Sequence, residues 1–243
     1  MIKGGQRIAT ATGVMLADLN SLGNQLHNAG GSLFTPEYWS ARGEVAAVSG
    51  GRGSAWFVGS LAHAWVLRHY RRGGFIARIS KDRYWWRGED RVRAFAEWRL
   101  LQYLSERGLS VPKPVAAWYQ RTGMTYRCDL ITQRIASAQS LSAALASDPV
   151  PESTWRAIGA EIARLHRHGV DHADLNAHNI LLDGNEGITL IDFDRGRLRV
   201  PGAWASRNLR RLQRSLAKIS RSLPPGRFTP AAWQHLSAGY QAE

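Results

Sequence analysis

Two short apolar runs, Ile180-Leu181-Leu182 and Ile188-Thr189-Leu190-Ile191, flank a polar turn, Asp183-Gly184-Asn185-Glu186-Gly187. That pattern predicts a β-hairpin. Upstream, Trp155, Ile158, Ile162 and Leu165 recur at helical spacing from about Glu152 to His168, and Gly169 stops the run. A second helix is predicted over 89–105, with Ala94, Glu97, Leu101 and Leu104 on one face. Helical signals also start near Ser140. Residues 129–135 read as a core strand leading into a hinge, and prolines keep 111–115 extended. Ala64–Tyr70 reads as a strand. Ala46–Ser49 and Ala55–Val58 read as two strands around a glycine-rich turn, residues 50–54. Residues 1–33 are weakly patterned. There Leu16, Leu19, Leu22 and Leu26 have helical spacing, interrupted by Gly13 and Gly23. After Asp194, arginines alternate with Trp204, Leu209, Leu212, Leu216 and Ile219, which predicts an amphipathic helix with arginines outward.

The hairpin carries the candidate chemistry. In an antiparallel pair, the residue before the first strand lies beside the residue after the second. Asn179 and Asp192 hold those places, so an amide oxygen and a carboxylate are expected at one open end. Such a pair suits Mg²⁺, which takes few protein ligands and keeps water and phosphate oxygens in its shell. Asp174, five residues before Asn179, shares the loop as candidate catalytic base. The stretch His172-Ala173-Asp174-Leu175-Asn176-Ala177-His178-Asn179 followed by Asp192-Phe193 resembles the kinase catalytic loop and its second metal motif. Asp194 stands where that motif has glycine. The expected fold is α+β, a bilobal protein-kinase-like chain. It has a small β-rich N-terminal lobe over 1–135 and a mostly helical C-terminal lobe over 136–243. In such a fold Gly51, Gly53 and Ser54 cover the nucleotide phosphates through backbone N–H groups. Arg68 stands where kinases place a phosphate-clamping lysine, with Lys81 as rival, and Glu97 is its expected partner because an unpaired buried carboxylate is costly.

Charge changes the picture further. The chain has 32 Lys and Arg against 19 Asp and Glu, a formal net charge of +13. Such a surface seeks polyanions: nucleic acid, anionic lipid or a phosphorylated substrate. A lone cysteine, Cys128, excludes an intrachain disulfide. No apolar run approaches the roughly 20 residues of a membrane span, and no signal peptide is recognisable. A cytoplasmic-side location is expected. Arg83-Tyr84-Trp85-Trp86-Arg87, with tryptophans flanked by arginines, suits a lipid headgroup layer.

Four stretches together resemble the 3-deoxy-D-manno-octulosonic acid (Kdo) kinases, lipopolysaccharide-core kinases related to the heptose kinases. They are Val66–Gly74, Phe95-Ala96-Glu97-Trp98, His172–Asn179 and Leu190–Arg197. The resemblance spans about Phe34 to Lys218. It implies ATP with Mg²⁺ as cofactors and transfer to the 4-hydroxyl of the Kdo sugar of Kdo-lipid IV-A. It also implies a peripheral place on the cytoplasmic face of a Gram-negative inner membrane, with that anionic surface as partner and no nucleic acid. Two alternatives share the pattern: a related phosphotransferase for a protein or small-molecule hydroxyl, and a basic nucleic-acid binder on an inactive kinase fold.

Overall fold

A computed structural model describes residues 5–23, 30–47, 55–60, 64–72, 82–184 and 187–243. Gly51, Gly53, Ser54 and Lys81 lie outside these residues, as does Leu26. The chain divides into two compact units, one of residues 1–103 and 113–134, the other of 104–112 and 135–243.

The first unit is built on one eight-stranded sheet. Its first strands are β1 (Gln6–Thr10) and β2 (Gly13–Ala17), followed by short helices α1 (Leu19–Leu22) and α2 (Pro36–Ser40). Then come β3 (Val45–Ala47), β4 (Ala55–Val58), β5 (Trp65–His69) and β6 (Tyr84–Trp85). Helix α3 (Arg93–Ser105) precedes the long hairpin β7 (Pro114–Thr122) and β8 (Thr125–Gln133). The strand order is β1-β2-β7-β8-β5-β4-β3, and β6 pairs with β8.

The helical spacing of leucines near the N-terminus is corrected here. Met15, Leu16 and Ala17 are buried in strand β2, and only Leu19–Leu22 forms a helical turn. A Cβ on Gly13 would collide with the Tyr119 carbonyl, so the glycine that weakened a helix is what lets β2 approach β7. The strands on either side of the glycine-rich turn do form, pairing Val45 with Val58 and Ala47 with Trp56.

Alternation along β5 sorts its side chains. Trp65 and Leu67 enter a core with Met15, Leu22, Leu33, Phe34, Trp39, Val58, Val115, Trp118 and Ile131. Arg68 takes the opposite face, where α3 lies. Ala94, Glu97, Leu101 and Leu104, the face expected from spacing, are all buried.

The second unit begins with β9 (Gln139–Ser140), α4 (Leu141–Ser147) and α5 (Glu152–Arg167). Ser140 caps α4 by accepting from the Ala143 N–H at 3.2 Å. Next come β10 (Val170–Asp171), β11 (Ile180–Leu182), β12 (Ile188–Leu190) and β13 (Arg197–Leu198). Helices α6 (Trp204–Ser220) and α7 (Pro230–Ala242) complete it. Trp155, Ile158, Ile162 and Leu165 of α5 are buried as their period requires. Gly159 and Gly239 let α5 and α7 pack backbone to backbone: a Cβ on either would strike a carbonyl of the other helix. On α6 the inward row is Trp204, Asn208, Leu212 and Leu216, so a polar residue takes a core position and Leu209 and Ile219 are only half-buried.

Candidate active site

The catalytic-loop residues of the second unit form one hydrogen-bonded assembly. β11 and β12 pair antiparallel, Ile180 with Leu190 and Leu182 with Ile188, as the apolar runs predicted. The register differs by one from the simple expectation. Ile191 faces Asn179 and donates its N–H to the Asn179 carbonyl at 3.0 Å. Asp192 follows with φ of 65°, a left-handed conformation that turns the chain out of the ladder. Ala173, next to Asp174, has φ of 57°. Non-glycine residues in this region carry roughly 1–3 kcal/mol of strain each and persist only where surroundings hold them.

Those surroundings are specific. The Asp171 carboxylate accepts from the Ala173 N–H at 3.1 Å and from Asn208 Nδ2 at 2.8 Å, and Arg199 Nη1 donates to its other oxygen at 3.1 Å. Burial pushes this carboxyl up, but those three donors outweigh it and hold it below its usual range. Asn208 Oδ1 in turn accepts the His172 N–H at 3.0 Å. His172 is fully buried, and burial lowers its pKa, so the ring is neutral. Its Nε2 lies 3.0 Å from the Ile191 carbonyl and must donate, which fixes the tautomer. The same ring packs on Phe193 at 4.6 Å between centroids. His172 therefore ties the segment before Asp174 to the segment around Asp192.

Asp174 is held through its backbone. Its carbonyl accepts from Asn176 Nδ2 at 2.8 Å and from Asn179 Nδ2 at 3.0 Å. These bonds leave the carboxylate to its ion pair with Arg211, and they also orient Asn179. With Nδ2 on the Asp174 carbonyl, Oδ1 is the atom Asn179 offers to a cation. Asp192, one residue past the backbone bond between Ile191 and Asn179, is the second oxygen donor that the sequence predicts for that role. Two hard oxygen donors fit Mg²⁺, which completes its shell with water and phosphate. Among the described residues no cluster of three or more His, Cys, Asp and Glu is placed to hold a metal by itself. Two nearby histidines bond other side chains: His166 Nδ1 lies 2.9 Å from Tyr240 OH and His178 Nδ1 lies 2.8 Å from Ser142 Oγ.

Sequence reasoning missed the part played by α6. Asn208 anchors Asp171 and His172, Ser215 Oγ accepts the Ala177 N–H at 3.3 Å, and Arg211 is ion-paired with Asp174. These positions follow at steps of three and four, so one stripe of the helix addresses the whole loop. The available signal was Asn208 itself, a polar residue in the apolar row Trp204–Leu212–Leu216.

The first unit carries the second candidate cluster. Arg68 Nη2 and Glu97 Oε2 form an ion pair, with Glu97 3% exposed. Tyr70 OH donates to the same carboxylate oxygen and accepts from Arg68 at 2.9 Å. The expected pair is present, and Tyr70 is an unforeseen third member. Next door, His69 Nδ1 lies 2.6 Å from Asp129. Burial lowers the His69 pKa, but Asp129 and Asp82 outweigh it and raise the value. Of the two tryptophans in 83–87, Trp85 is 63% exposed, whereas Trp86 packs on Tyr119 at 5.2 Å under Arg121.

An aspartate in a strained loop, an asparagine five residues on, an aspartate–phenylalanine pair after a hairpin, and a buried cation–glutamate pair define a protein-kinase-like phosphotransferase. Residues 36–240 match the lipopolysaccharide kinase (Kdo/WaaP) family, and the chain belongs to that family. Relatives named 3-deoxy-D-manno-octulosonic acid kinase include one from Stenotrophomonas maltophilia strain K279a, 51% identical over 198 residues, which is 80% of this chain and 78% of the relative. One from Vibrio vulnificus is 42% identical over 214 residues, 87% and 89% of the two chains. One from Xylella fastidiosa is 50% identical over 188 residues, 77% and 75%. The chain is thus a kinase that transfers phosphate to an alcohol group.

Proposed function

We propose that this kinase phosphorylates the 4-hydroxyl of the Kdo sugar of Kdo-lipid IV-A from ATP. The observation that carries the reading is the Asp174–Asn179–Asp192 assembly in a chain half identical to Kdo kinases of other bacteria. Asp174 accepts the proton of the acceptor hydroxyl. The hydroxyl oxygen then bonds to the γ-phosphorus as the bond to ADP breaks. Asn179 and Asp192 hold Mg²⁺, which when bound neutralises phosphate charge. Asn176 and Asn179 fix the Asp174 backbone, so the carboxylate meets the hydroxyl without reorganising. Arg68, braced by Glu97 and Tyr70, clamps the nucleotide phosphates with a permanently charged fork. Gly51, Gly53 and Ser54 cover those phosphates in this reading.

The acceptor is an acidic glycolipid in an anionic membrane, which accounts for the +13 charge. We place the enzyme on the cytoplasmic face of the inner membrane as a peripheral protein. No helix among the described residues is long and apolar enough to cross a membrane. The exposed side chains Trp85 and Met124 support docking: both lie near the β7–β8 turn, where Trp85 pairs with Thr125 and Trp86 N–H donates to the Met124 carbonyl at 2.9 Å. A panel of acceptors tests the substrate. Kdo-lipid IV-A should be labelled from γ-labelled ATP, with free sugars, lipid IV-A lacking Kdo, and a generic protein substrate left unlabelled. Equal labelling of lipid IV-A lacking Kdo would overturn the assignment.

A further inference from the structure

Helix α6 carries five cations, Arg207, Arg210, Arg211, Arg214 and Lys218, and no carboxylate. Arg207, Arg211, Arg214 and Lys218 follow at steps of four, three and four, so they share one ridge, and all four are exposed. One member of the ridge reaches the catalytic loop: Arg211 Nη2 donates to Asp174 Oδ1. The two side chains stay partly open, 48% and 34% exposed.

This contact is a poor structural device. Solvent-exposed ion pairs contribute about 0–1 kcal/mol, and Asn208 and Ser215 already join α6 to the loop. Its position is chemically telling instead. A guanidinium offers five N–H donors in a planar fork. With Nη2 on Asp174, the remaining donors are left for a second anion beside the point where the acceptor hydroxyl must arrive.

The geometry points to Arg211 as a specificity-determining residue that grips an acidic group of the acceptor next to the hydroxyl that Asp174 deprotonates. The inference rests on the Kdo reading above. In that sugar the carboxylate is attached to C2, two ring carbons from the C4 hydroxyl. A cation in contact with the base is therefore within one sugar ring of that carboxylate. The fork matches a carboxylate bidentately, which a lysine does not. Arg211 forms and breaks no covalent bond. It selects an acidic sugar over a neutral one and sets the hydroxyl against Asp174.

The test compares Kdo-lipid IV-A with the same lipid carrying the Kdo carboxylate as its methyl ester, on wild type, Arg211→Gln and Arg211→Lys. On wild type the ester should lower kcat/KM for the acceptor about 10- to 100-fold, the loss of a charge-assisted contact. Arg211→Gln should lose about as much on the acid, and the ester should then cost that variant little more. Arg211→Lys should recover part of the loss, and KM for ATP should not move. The inference is overturned if wild type turns over ester and acid equally, which needs no variant to fold. It is also overturned if the two losses multiply, or if Arg211→Gln raises KM for ATP, which would put the cation on the γ-phosphate. A wild type that labels neither lipid overturns the Kdo reading itself, and this inference with it. Normal labelling of both lipids removes Arg211 alone.

Discussion

Replacing Asn208 by alanine should both destabilise the protein and slow catalysis, although Asn208 touches no reacting group. Asn208→Ala leaves the His172 N–H buried without a partner, a loss of about 1–3 kcal/mol. It also removes one of three donors to the Asp171 carboxylate, a charge-assisted bond worth about 1.5–3 kcal/mol. Arg199 and the Ala173 N–H still hold Asp171, which keeps the sum near 3–4 kcal/mol. At 2–4 °C per kcal/mol for a chain of this size, Tm should fall by about 6–16 °C. The loop loses its anchor at Asp171 and His172, so kcat should fall more than KM for ATP rises. Asn208→Asp provides a second reading. It restores an acceptor for His172 but sets a second carboxylate against Asp171. Like charges raise the pKa of one carboxyl. A group raised on folding binds its proton more readily in the native state, so the penalty is relieved as pH falls. The Tm gap to wild type should therefore narrow between about pH 7 and about pH 5. Thermal unfolding followed by circular dichroism and steady-state kinetics measure both effects. An Asn208→Ala protein with wild-type Tm and kcat would refute the argument that α6 braces the catalytic loop.

Further outcomes follow from the same geometry. Arg68→Ala should destabilise by about 3–5 kcal/mol, because Glu97 would be left as a buried charge. Arg68→Met with Glu97→Leu should recover that stability without recovering ATP affinity by titration, and recovery of both would remove Arg68 from the nucleotide clamp. His166 is buried beside Tyr240, and burial pushes its pKa down to about 4. A lowered histidine contributes stability that is present above its unfolded value and lost as pH falls, so stability should drop by about 3 kcal/mol from pH 6.5 to pH 4. His166→Gln should flatten that slope, and an unchanged slope would sink the assignment. Binding to anionic vesicles should weaken with salt and with Trp85→Ala plus Met124→Ser, while neutral vesicles bind poorly. Salt-independent binding to both would rule out electrostatic docking.

Much of this was legible along the chain, and the gaps have physical reasons. The hairpin at 180–190 was readable because its two apolar runs and its turn are contiguous. Glu97 was readable as half of an ion pair because a carboxylate on an apolar helix face demands a cation, and Arg68 alternates onto the matching face of β5. Tyr70 was not, because its hydroxyl reaches Glu97 only once β5 and α3 are packed. Asn208 and Arg211 escaped because they act on a loop more than thirty residues earlier, and local periodicity does not report long-range partners. In a run this rich in arginine, Arg211 looks like its neighbours until the fold sets it on Asp174. The one-residue register difference at Asn179 came from Asp192, whose left-handed conformation is unusual for a residue that is not glycine. The N-terminal leucines misled because a strand that meets a close-packed neighbour at Gly13 can share their spacing.

In the proposed reaction Asp174 is the general base for transfer to the Kdo 4-hydroxyl. The measurement is transfer of the labelled γ-phosphate of ATP to Kdo-lipid IV-A by wild type and by Asp174→Asn, with folding checked by circular dichroism and nucleotide binding by titration. The substitution keeps the side-chain shape and the backbone contacts of Asn176 and Asn179 but removes the proton acceptor. Labelling at the Kdo 4-hydroxyl by wild type is expected, with a loss of at least about 100-fold in Asp174→Asn, the usual worth of a general base, and near-normal ATP binding. Turnover by Asp174→Asn close to that of wild type would contradict the assignment of Asp174 as the base.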